Sequence, residues 1–103
     1  MTTKTFNKLV RDKIPGIIKE KGKVCKFHIA DSKEYRQKLK EKLLEESQEF
    51  FENPCVEELA DLQEVMDALQ VEYDWTNLRA QKEYKKVIRG SFEKKIILEE
   101  VSS

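Results

Sequence analysis

Apolar positions in the middle of the chain return every three or four residues, the period of helices that bury one stripe and leave the rest to water. The clearest run carries Tyr35, Leu39, Leu43 and Phe50. Asp31 with Glu34 three residues on has the form of a capping box, so the spacing predicts a long helix opening there and running to about Glu52. Asn53-Pro54 reads as a stop and a restart, Asn as cap and Pro as first helical residue. Leu59, Leu62, Val65, Met66 and Leu69 then predict a further helix to about Val71. Asp74 is placed to cap another through Leu78, Tyr84 and Ile88, which Gly90 ends.

Before these, Asp12 is placed to cap a short helix through Ile14, Ile17 and Ile18, with Pro15 in its first turn and Gly22 as its stop. Three segments read as extended. Phe6 to Arg11 is one. Val24 to Ala30, where Cys25, Phe27 and Ile29 alternate with Lys26 and His28, has the period of a half-buried strand. Phe92 to Leu98 is a candidate last strand beside one of the others. The expected architecture is all-α, a four-helix bundle in one domain over 1–103, with short extended segments near both termini.

Acids stand where the helical pattern calls for apolar groups. At about 100° per residue, Glu46 falls between the directions of Leu39 and Tyr35, and Glu49 lies roughly 60° further round. On the next helix Glu58 falls between Leu62 and Val65, and Asp61 sits roughly 60° away in the same sense. A tight antiparallel reversal at Asn53-Pro54 would set Glu49 level with Glu58 and Glu46 with Asp61, all four within an axial band of roughly 6 Å. Either pair alone is readily a solvated face, since acids are mostly exposed, and Glu46 has Lys42 about one turn away. Two pairs of one sense facing across a short turn point to a shared cation. Repulsion and desolvation would otherwise protonate some of the four, and Mg²⁺ favours such oxygen ligands.

The remaining composition narrows the partners. With 103 residues and 39% hydrophobic content the core is lean, so short helices are expected to leave faces for a homodimer or homotetramer. Twenty basic residues against 20 acidic ones argue against a nucleic-acid coat. Cys25, Cys55 and the single His28 form neither a zinc pattern nor a disulfide framework. No apolar run reaches the length of a membrane span and no signal-peptide core is present, so no membrane partner and a cytoplasmic location are expected.

The motif Glu45-Glu46-x-x-Glu49 followed by Glu58-x-x-Asp61 resembles the EExxE…ExxD signature of the all-α nucleoside triphosphate pyrophosphohydrolases, which include MazG, dimeric dUTPases and phosphoribosyl-ATP pyrophosphohydrolase. The blocks from Asn7 to Pro15, Lys42 to Glu46, Glu57 to Asp61 and Arg89 to Lys94 are similar to the small phosphoribosyl-ATP pyrophosphohydrolase-like MazG subgroup. The resemblance implies a MazG-like bundle and Mg²⁺-dependent cleavage of a nucleoside triphosphate between its α and β phosphates, with Mn²⁺ as a possible substitute. Products would be a monophosphate and pyrophosphate, as in house-cleaning of the nucleotide pool. It implies Glu46, Glu49, Glu58 and Asp61 as metal ligands, Glu46 or Glu49 as the group activating water, and raises Lys8, Arg11, Lys13, Arg89 and Lys94 toward substrate; Lys42 flanks the acidic face. Glu64 is a candidate for a second ion, though a solvated face suits it better. Trp75, Tyr73, Tyr84 and Phe92 suit packing better than base stacking. Gly16 in place of an acid, Ser91 in place of a second glycine, and the eight residues between Glu49 and Glu58 depart from the pattern and bear on substrate choice. Phosphoribosyl-ATP pyrophosphohydrolase and a non-catalytic helical interaction module are the alternatives.

Overall fold

The computed structural model describes residues 2–103. Among them are four helices and no strand: α1 (Ile14–Glu20), α2 (Ser32–Glu52), α3 (Val56–Glu72) and α4 (Leu78–Arg89). By contact density the chain falls into two compact units, one ending at Tyr73 and the other spanning Asp74–Ser103.

The first unit is built on an antiparallel hairpin of α2 and α3. Leu39 (1% exposed) and Val65 (8%) form its dry centre, with Tyr35, Leu43, Phe50, Leu62 and Leu69 half-buried around them. Two helices alone bury little, so hydrophobic stabilisation is concentrated on these few contacts. Leu59 and Met66, from the same predicted arc, remain exposed. Round the α3 axis they lie about 100–120° to one side of Val65, whereas Asp61 lies about 40° to the other. Glu58 lies within about 20° of Val65, so the acids run from the buried centre of α3 to the flank that carries Asp61, and the exposed apolar surface occupies the other flank.

Helix ends show where local chemistry decides and where it is overridden. Asp31 Oδ1 accepts the Glu34 N–H at 2.9 Å, satisfying one of the orphan donors at the α2 start. The reciprocal arm of the box is not made, because Glu34 Oε1 lies 2.8 Å from His28 Nε2 instead. At the end of α1, Gly22 adopts φ 75°, and the Gly22 and Lys23 N–H groups donate to the Lys19 and Ile18 carbonyls. That is the Schellman pattern, which favours glycine at the left-handed position. Gly90 closes α4 with φ 82°.

Three expected caps are corrected. Lys13, not Asp12, precedes α1 and offers no side-chain cap. The Ile14 N–H is already taken by the Arg11 carbonyl at 3.1 Å, and Pro15 has no N–H to satisfy. Asn53 ends α2 and Cys55 begins α3, so Pro54 lies between the helices and is not helical. Asp74 adopts a left-handed φ of 54°, and the residue before α4 is Asn77.

The expected strands at 24–30 and 92–98 do not form. Val24 is 99% exposed and Phe92 96%, and neither segment finds a neighbouring strand to complete a hydrogen-bond ladder. An isolated strand or hairpin is marginal in water. Lys95 also takes φ 58°, which breaks the extended path of the tail. Phe6 to Arg11 has no regular structure, and Asn7 bends it with φ 47°. No helix among the described residues is long and apolar enough to cross a membrane. Cys25 and Cys55 are free and partly buried.

Candidate metal centre

Glu46 enters the hairpin because its position on α2 falls between those of Tyr35 and Leu39. The apolar groups that pack there carry it inward, and only 6% of it remains exposed. Glu58 and Asp61, one turn apart on α3, meet it from the other side. One carboxylate oxygen from each of the three lies within 4.8 Å of the others, a grouping that could hold a metal ion. Glu49, expected beside them, stays exposed and outside that grouping. The connection of three residues, Asn53 to Cys55, differs from the tight reversal assumed, and the register it sets joins Glu46 to both α3 acids.

Two buried oxygens in this group, Glu46 Oε2 and Glu58 Oε2, have no hydrogen-bond partner. Leaving a buried charged acceptor unsatisfied is costly, so such atoms call for an explanation, and an ion is one. Removal from water raises the pKa of Glu46 above the usual carboxylate range, and the negative charges of Glu49 and Asp61 push the same way. Lys42 opposes them, with Nζ 3.4 Å from Glu46 Oε1. Three oxygen donors from two rigid helices, two of them with an uncommitted buried oxygen, fit a hard divalent cation that completes its shell with water or phosphate.

Basic groups already lean on the acids. Arg11 Nη2 contacts Asp61 Oδ1 at 2.8 Å. Lys8 Nζ lies 3.3 Å from Glu45 Oε1, and Lys42 Nζ lies 3.5 Å from the same oxygen. Sequence periodicity had no signal for the Arg11–Asp61 and Lys8–Glu45 pairs, which join positions 50 and 37 residues apart. Lys38 donates to the Asn7 carbonyl at 2.7 Å and so fastens the amino-terminal segment to α2. Lys13 is exposed at the mouth of α1, while Arg89 and Lys94 belong to the second unit and are exposed there. Glu64 is exposed. Tyr73 is partly buried under the Arg36 guanidinium, 4.6 Å from its ring centre, and Trp75, Tyr84 and Phe92 are exposed.

Two concavities of the first unit lie elsewhere. One, of ≈ 500 Å³, is lined by Asp31, Lys33, Glu34, Gln37, Lys38 and Glu41 and includes none of the three clustered acids. Such a shallow polar hollow along a helix offers no converging chemistry, so the carboxylate cluster is the stronger candidate. Comparison with protein-family models, with curated proteins and with solved structures yields no match to this chain.

Proposed function

We propose that this chain is a cytoplasmic Mg²⁺-dependent pyrophosphohydrolase that splits a nucleoside triphosphate, or a related nucleotide, between its α and β phosphates. The observation that carries the reading is the buried Glu46 with its unpartnered oxygen beside Glu58 and Asp61. Those three residues would hold the ion. When bound, Mg²⁺ supplies charge neutralisation at the phosphate oxygens, and Mn²⁺ can replace it.

The chain's own groups divide the rest of the work. Glu49 lies outside the ligand grouping yet close enough for its charge to act on Glu46. It is the carboxylate free to accept a proton from the attacking water, the role a general base requires. Lys42, 3.4 Å from Glu46 Oε1, favours the charged, ligating form of Glu46 against the burial and repulsion that oppose it. Lys8, Arg11 and Lys13, on the segment crossing the acidic flank, are the cations available to phosphate. The exposed Leu59 and Met66 support a homodimer or homotetramer as the working form, which light scattering on the purified protein measures directly.

The decisive assay is release of pyrophosphate from a panel of standard and damaged nucleoside triphosphates, with and without Mg²⁺. Turnover that requires the ion and vanishes in folded Glu46→Gln and Asp61→Asn proteins is the expected result. Metal-independent behaviour, with wild-type properties in both variants, would leave a helical interaction module as the better account.

A further inference from the structure

Two of the clustered acids are already partly neutralised, but by cations of different kinds. Lys42 grows from the same helix as Glu46 and is largely sheltered, whereas Arg11 reaches Asp61 from a separate segment with more than half its side chain in solvent. Only one guanidinium nitrogen is engaged, by one carboxylate oxygen. A guanidinium has five N–H donors, so most of its capacity is uncommitted.

The backbone carrying Arg11 is fixed independently of that contact. Lys38 grips the Asn7 carbonyl at 2.7 Å, Lys8 pairs with Glu45, and the Arg11 carbonyl itself accepts the Ile14 N–H at 3.1 Å. The side chain can therefore leave Asp61 without the segment leaving α2 and α3. A guanidinium cannot shed its charge at any working pH, so a dication arriving among Glu46, Glu58 and Asp61 meets a like charge that has to move aside.

Resting on the metal reading above, we propose that Arg11 is an exchangeable cation that occupies Asp61 until a divalent ion arrives, then turns its freed donors to a phosphate bound beside that ion. In this scheme one residue does two things in sequence. It screens the acids while they are without metal, and it makes tight binding of a polyphosphate conditional on prior binding of metal. The planar fork of arginine matches two phosphate oxygens at once, which a lysine cannot do.

The test measures Mn²⁺ binding to the full chain by titration calorimetry, then binding of inorganic tripolyphosphate to the Mn²⁺-loaded protein. Arg11→Gln is expected to bind Mn²⁺ more tightly than wild type by about two- to fivefold, the range open to an exposed ion pair. The same variant should bind tripolyphosphate at least tenfold more weakly, as loss of hydrogen bonds to a charged group implies. Arg11→Lys, which keeps the charge and loses the fork, should restore wild-type Mn²⁺ affinity but only part of the tripolyphosphate affinity. Unchanged or weaker Mn²⁺ binding by Arg11→Gln overturns the exchange while leaving the metal site standing. Unchanged tripolyphosphate binding overturns the phosphate role. Wild type that takes up no Mn²⁺ removes the metal reading and this proposal together.

Discussion

Replacing Glu46 by glutamine separates two contributions that usually travel together. Without metal, the wild-type hairpin keeps a carboxylate that is 6% exposed, has one unpartnered oxygen, and is repelled by Glu49 and Asp61. A buried unsatisfied polar group costs about 1–3 kcal/mol and a charged one more, and the amide recovers only that excess. The amide keeps the shape and removes the charge. Its carbonyl oxygen can still accept from Lys42, so only the ionic part of that contact is lost, and Lys42 retains Glu45 at 3.5 Å. The net expectation is a gain of about 1 kcal/mol, or roughly 4–8 °C in Tm for a domain this small. With divalent ion the order reverses. At 100 times Kd the wild type gains about 2.7 kcal/mol and the variant, short of a ligand, gains little. Thermal unfolding followed by circular dichroism, in EDTA and in Mg²⁺, should thus give curves that exchange places. The pH dependence has a definite sign. Because folding raises the pKa of Glu46, its protonated form is favoured in the native state, and the associated stability is complete below the ordinary glutamate value. It is lost as pH rises through the higher folded value. In EDTA the advantage of Glu46→Gln over wild type should therefore be small near pH 4 and widen toward pH 7.5. A variant that melts below wild type in EDTA at neutral pH would mean that the Lys42 contact outweighs burial and repulsion, and the strain assigned to the acid would be refuted.

Asp61→Asn should abolish Mg²⁺-induced stabilisation while leaving the EDTA melt within about 0.5 kcal/mol of wild type, since its partner Arg11 is well exposed; a large loss in EDTA would make the pair structural. Leu39→Ala removes the most buried side chain and should cost about 2–5 kcal/mol in urea unfolding, enough to threaten the first unit. Retention of a wild-type transition would show that the hairpin is held elsewhere. Asp31→Ala deletes the α2 cap and should cost about 1 kcal/mol by the same measurement, with little change in metal binding.

The helices were legible because their signals are local. The apolar spacing from Tyr35 to Phe50 and the Asp31 cap define α2, and Gly22 and Gly90 mark the ends of α1 and α4. Periodicity also turned Glu46 inward, since an acid among core directions has nowhere else to point. The strands were misread because alternation describes what a segment can present, not whether a partner exists; Val24, Phe27 and Ile29 found none and stand in solvent. The reach of the acids depended on the turn. A helical wheel places Glu49 at the edge of the arc, and only the Asn53-to-Cys55 connection determines which edge residues the opposite helix meets. The Arg11 and Lys8 pairs are set by the path of an irregular segment bent at Asn7, for which periodicity has no rule.

The three clustered oxygens come from both arms of the hairpin, one from α2 and two from α3. An ion seated among them would be a cross-brace, tying together helices that share little other dry contact. Ion supply would then govern how much intact protein a cell retains. Filling the acidic seam with hydrocarbon would toughen the hairpin and at the same time remove any seat for such an ion.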